Sequence, residues 1–80
     1  MSAYSKTVRE EPSKVLARAV SYFGPGGLGL ASQGIEEDCA SFEGGGGHVS
    51  ISVCPKDGKT EIELETREWD TQVKQFLAEL

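Results

Sequence analysis

No apolar stretch in this chain approaches the roughly 20 residues that a membrane-spanning helix needs. The opening residues, Met1-Ser2-Ala3-Tyr4-Ser5-Lys6, lack the apolar centre of a secretory leader, so a cytoplasmic location is expected. Basic residues are also scarce. Eight lysines and arginines stand against thirteen acidic residues, for a net charge of −5. The few cations are scattered, which argues against nucleic acid and against anionic membrane surfaces as partners. The two cysteines, Cys39 and Cys54, have no C-x-x-C spacing and no histidine-rich surroundings. They therefore indicate neither a zinc site nor a redox pair, and in a reducing compartment they read as free thiols. There is no G-x-S-x-G elbow, no P-loop lysine and a single histidine, so no enzyme motif and no cofactor is expected.

What is present describes one small domain. Eighty residues with 38% hydrophobic and 26% charged side chains suit an ordinary globular chain. At this length only about 60% of the unfolded surface is buried, which leaves one thin core. Tyr4 to Glu10 alternates weakly and is expected to form an edge strand. Pro12 suits the first turn of a helix, and Val15, Leu16, Ala19, Val20 and Phe23 recur at helical spacing until Gly24-Pro25 stops it. Gly26 to Gly34, around Leu28 and Leu30, reads as a second strand, and Glu36-Glu37-Asp38 as a turn. Cys39 to Glu43 reads as a third strand.

The strongest pattern follows. His48 to Cys54 alternates Val49, Ile51 and Val53 against His48, Ser50, Ser52 and Cys54, and Thr60 to Arg67 alternates around Ile62 and Leu64. Pro55-Lys56-Asp57-Gly58 between them has turn chemistry, so the pair is a hairpin. Asp70 or Thr71 is placed to cap a final helix whose stripe is Trp69, Val73, Phe76, Leu77 and Leu80. Trp69 is expected between that helix and the sheet. The order is β-α-β-β-β-β-α. With one apolar face on every element, the expected fold is an α+β two-layer sandwich, an antiparallel sheet with two helices on one face.

Two glycine-rich segments and one histidine are the candidate features. Gly24-Pro25-Gly26-Gly27-Leu28-Gly29 matches a dinucleotide fingerprint in letters only, because a helix precedes it and no helix follows. Gly44-Gly45-Gly46-Gly47 reads as a hairpin turn, although two glycines would suffice and the excess could admit a partner or a ligand. A hairpin paired Cys54 to Lys59 would set Val53 opposite Thr60 and His48 opposite Glu65. The glycine hairpin sets Phe42 opposite Val49 and Glu43 opposite His48. His48 would then lie between Glu43 and Glu65, a weak candidate for a divalent metal or a general base. The competing reading is a solvated ion-pair cluster on an open sheet, and neither metal nor catalytic residue is expected.

Tyr4-Ser5-Lys6-Thr7-Val8 leading into Glu11-Pro12-Ser13-Lys14-Val15-Leu16, with a terminal helix from Trp69 to Leu80, resembles the layout of a helix-grip (START-like or polyketide-cyclase-like) domain in miniature. Phe42 to Val49 and Glu63 to Asp70 are also similar to segments of short, uncharacterised bacterial proteins. Helix-grip domains hold apolar ligands between the sheet and the long helix. The resemblance therefore implies a small carrier or sensor, with its ligand near Phe23, Phe42, Trp69 and Phe76. The residues themselves favour a non-enzymatic binding or assembly module. A thin core and an exposed sheet invite a homodimer through a sheet edge or face.

Overall fold

The computed structural model describes residues 2–80. The elements are β1 (Ser2–Val8), α1 (Pro12–Phe23), β2 (Ala31–Ile35), β3 (Cys39–Gly44), β4 (Gly47–Lys56), β5 (Lys59–Arg67) and α2 (Asp70–Ala78). This is the expected order. The sheet runs β1-β5-β4-β3-β2 with every neighbouring pair antiparallel, so β1 and β2 form its two edges. Both helices cover the same face, and the fold is a two-layer α+β sandwich. Among the described residues no helix is long and apolar enough to cross a membrane.

The periodicities explain the core. Helix α1 buries Val15, Leu16, Ala19 and Phe23, one stripe of a 3.6-residue repeat. Alternate residues Val49, Ile51 and Val53 of β4 and Ile62 and Leu64 of β5 meet that stripe. Phe23 lies at the junction. Its ring centroid is 5.8 Å from Phe42 on the sheet, 5.3 Å from Phe76 on α2 and 5.0 Å from Tyr22 beside it. Two buried threonines complete the layer by bonding backbone: Thr60 donates to the Glu10 carbonyl at 2.6 Å and Thr66 to the His48 carbonyl at 2.8 Å. The first of these ties β5 to the entrance of α1, where Pro12 needs no donor.

Strand β1 holds α2 at both ends. The Tyr4 hydroxyl donates to Asp70 Oδ2 at 2.6 Å, at the start of the helix. Lys6 Nζ donates to the Leu77 carbonyl at 2.6 Å and the Leu80 carbonyl at 3.4 Å, where the helix dipole is negative. Asp70, expected as a cap, is instead the first helical residue. Trp69 takes the cap position, without a side-chain cap bond. A nine-residue helix is marginal alone, so this clamp does work that propensity does not.

Two expectations need correction. The second strand starts later than the apolar residues suggested. Leu30 is buried just before β2, while Leu28 lies in the preceding turn at 39% exposure. All five residues of β2 are exposed, because the strand extends beyond the helix layer. The β4–β5 hairpin closes on Asp57-Gly58 alone, with φ of +51° and +77° and Lys56 opposite Lys59. A two-residue turn with both φ positive matches strand twist, and Asp-Gly is well suited to it. The register is thereby displaced by two residues: Val53 faces Ile62, not Thr60, and His48 faces Arg67, not Glu65. The faces survive because the displacement is even.

The Tyr4–Asp70 bond has a pH signature. The Tyr4 hydroxyl holds the Asp70 carboxyl below its usual range, with Ser2 adding to the effect. A depressed carboxyl contributes stability that is present above its unfolded value of about 3.9 and is lost as pH falls through the folded value. The same bond raises the Tyr4 phenol, so its share is present below about 10 and is lost as pH rises through the folded value. Tyr4→Phe should lower the melting temperature at pH 7, and the difference from the parent should shrink as pH approaches 3. Melting curves followed by circular dichroism across that range check it. A difference independent of pH would contradict the assignment.

Candidate functional site

The face of the sheet opposite the helices is uncovered, and the observed register orders it into rows. At one end Arg67, His48 and Glu43 lie side by side across β5, β4 and β3. Next come Ala3, Glu65, Ser50 and Ser41, then Ser5, Glu63, Ser52 and Cys39, and finally Thr7, Glu61 and Cys54. The face is thus a ridge of three glutamates on β5 flanked by small hydroxyl and thiol side chains. The depressions beside the ridge are shallow, about 280 Å³ toward β3 and about 270 Å³ toward β1.

His48 does not lie between two carboxylates. Glu43 is its neighbour on one side, as expected, but Arg67 replaces Glu65 on the other. Among the described residues no three His, Cys, Asp or Glu side chains are grouped to share a metal ion. The row is an acid, an imidazole and a guanidinium on an open surface, with no ion pair formed among them. Cys39 and Cys54 are free, on one face but diagonal to each other. Burial pushes the Cys39 thiol up, and the charges of Glu36 and Asp38 push it further. That keeps it in the protonated form, which is the poor nucleophile.

The four glycines have an internal explanation. Gly45 and Gly46 form the turn, with φ of +58° and +81°, between paired Gly44 and Gly47. The Trp69 indole N–H donates to the Gly44 carbonyl at 2.9 Å, and a Cβ on Gly45 would stand 3.0 Å from Trp69 Cζ2. A Cβ on Gly47 would collide with the Arg67 carbonyl oxygen. The occupant that the glycines admit is therefore the chain's own strand end and tryptophan. Glu68, at φ +75°, makes the bend that carries Trp69 there. Trp69 is half-buried rather than largely buried, lying over the hairpin while packing against the border of the core. The signal was the glycine excess itself, but its partner lies more than twenty positions downstream.

The four aromatic residues expected around an apolar ligand lie in or against one core. Phe23, Phe42 and Phe76 are buried against one another, so their rings fill the space between helices and sheet. Trp69 packs at the border of the same core, over the glycine turn. No family model, curated protein or solved structure matches this chain.

The glycine corner makes a graded prediction. Gly46→Ala meets no neighbour and should cost only the left-handed backbone penalty of about 1–2 kcal/mol. Gly47→Ala must displace backbone of β5 and should cost more, roughly 1–3 kcal/mol on top of any lost strand pairing. Trp69→Phe, which keeps an aromatic ring but loses the donor and part of the indole's packing, should cost at least about 1 kcal/mol. Urea unfolding of the three variants gives the ranking, and equal costs at positions 46 and 47 would contradict this account of the corner.

Proposed function

We propose that this protein is a non-enzymatic assembly module that pairs with a second copy of itself through the outer edge of β2. One observation carries the reading: Ala31–Ile35 is a sheet edge whose five residues are all exposed and uncharged. An unpaired edge presents backbone donors and acceptors to another strand, and natural edges are commonly guarded by charge, above all lysine. The opposite edge, β1, carries Lys6 and is tied to α2 through Tyr4 and Lys6. On β2 there is only a register shift between Ser32 and Gly34. The two large hydrophobic side chains exposed among the described residues, Leu28 and Ile35 at 39% and 55%, flank or end this strand.

Electrostatics choose between edge and face. A dimer through the open face would bring the Glu61-Glu63-Glu65 ridge of each copy toward its mate, and like charges across an interface cost several kcal/mol. Antiparallel pairing of β2 about a two-fold axis places the Glu36-Glu37-Asp38 turn of one copy beside the glycine-rich segment before Ala31 of the other. Parallel pairing would stack the acidic turns. The two-fold arrangement is thus favoured, and it closes because each copy has one such edge. A helix-grip carrier with its ligand beneath α2 is less well supported, since the phenylalanines occupy that space.

Five paired residues bury less than the standard interface of about 1,600 Å², so the dimer should be weak, on the order of 10–100 µM. Sedimentation equilibrium should show the mass rising from 8.6 kDa toward twice that value as concentration increases. Ile35→Lys adds a guard at an exposed position and should restore the monomer without altering the far-ultraviolet spectrum. A monomer at all concentrations would overturn the proposal, as would a dimer indifferent to Ile35→Lys.

A further inference from the structure

A second surface lies on the opposite side of the molecule from the open face. The last turns of α1 and α2 and the Gly27-Leu28 turn enclose a groove of about 380 Å³. Its walls include Tyr22, Leu28, Phe76 and Leu80, with Arg18 and Glu79 also lining it, and no strand residue contributes. The Tyr22 and Phe76 rings lie 5.4 Å apart at 48°; half-buried Tyr22 forms the aromatic wall, and Phe76, 2% exposed, shows only an edge at its base. The volume falls in the range of small-ligand sites, and an apolar pocket with few polar groups is their usual form.

The charges around the groove are not equivalent. Arg18 is already bonded to Glu10 through Nη1 at 3.2 Å. Lys6, behind α2, is committed to the Leu77 and Leu80 carbonyls. Glu79 has no cationic partner within salt-bridge distance among the described residues. Its negative field is felt in the groove, where it adds to burial in raising the Tyr22 phenol. Neither helix places a basic residue in its last turn. The chain as a whole carries −5. The Arg18 guanidinium already has an acidic partner in Glu10 while Glu79 has no cation among the described residues, so a cationic ligand is the better match to the groove.

We infer that the groove between the last turns of α1 and α2 binds a small organic ammonium ion, its apolar body against Tyr22, Leu28 and Phe76 and its charge toward Glu79. Leu28 borders both this groove and the β2 edge, but the other groove residues lie on the two helices and the chain end, and dimerisation is not required for the site. The probe is 2-phenylethylammonium, with 2-phenylethanol and 3-phenylpropionate as neutral and anionic counterparts. Amide resonances of the full chain are followed by NMR during titration. The ammonium should move Leu28, Phe76, Glu79 and Leu80 along one saturable curve, with a dissociation constant on the order of 1–10 mM as befits a fragment of this size. It should bind at least about threefold tighter than the alcohol, and the anion should bind weakest. Glu79→Gln should erase the difference between ammonium and alcohol while leaving the alcohol's affinity in place. Leu28→Ala should weaken both. Absence of saturable shifts at these residues overturns the site. Equal affinity for the three probes, or a preference that survives Glu79→Gln, overturns the assignment of its ligand class.

Discussion

Phe23 is the contact on which the two layers depend. It ends α1, and it touches Phe42 of the sheet and Phe76 of α2, so one ring joins the three parts of the core. In a chain this short only about 60% of the unfolded surface is buried, and each fully buried large side chain is worth roughly 1.5–3 kcal/mol. The core has little redundancy. Three phenylalanines fill the centre of the joint between helices and sheet.

The periphery is held by polar contacts of long sequence separation. Tyr4 and Lys6, near the start of the chain, grip the two ends of the final helix. Trp69, at the entry to that helix, closes on the Gly44–Gly47 hairpin. Each contact places a side chain over backbone or over a helix terminus, where an orphan group requires a partner. The short α2 is therefore specified by its surroundings. Its own sequence provides an apolar stripe and little else.

These choices determine which surfaces are left for function. The open face retains a ridge of like charges, which opposes self-association face to face. One edge is occupied with lysine and the helix clamp. What remains is the uncharged edge β2 on one side and the groove between the helix ends on the other. A backbone edge suits another strand, and a groove with an aromatic wall and one unpaired acid suits a small cation. The two surfaces meet only at Leu28, and each uses different groups: backbone on β2, side chains on the helices.

Local pattern determined a great deal by itself. The 3.6-residue stripe from Val15 to Phe23, the alternation from His48 to Cys54 and from Thr60 to Arg67, and the stop at Gly24-Pro25 were sufficient for element order, layers and buried faces. They suffice because burial of a face is a property of neighbouring residues. Register was less legible. The even displacement at Asp57-Gly58 keeps Ile51 and Leu64 inward while exchanging Glu65 for Arg67 beside His48, so the apolar pattern could not detect it; only the geometry of the two-residue turn decides. The glycine excess signalled that something approaches the Gly44–Gly47 turn but not that it is Trp69, and the Tyr4 and Lys6 clamp left no signal. These contacts join residues 25, 66 and 71 positions apart, and no local preference encodes which distant backbone group a side chain will meet. Sequence alone thus determined the layers, and only the tertiary structure decided what stands beside what on their surfaces, because hydrophobic burial is read residue by residue while pairing depends on how the layers come together.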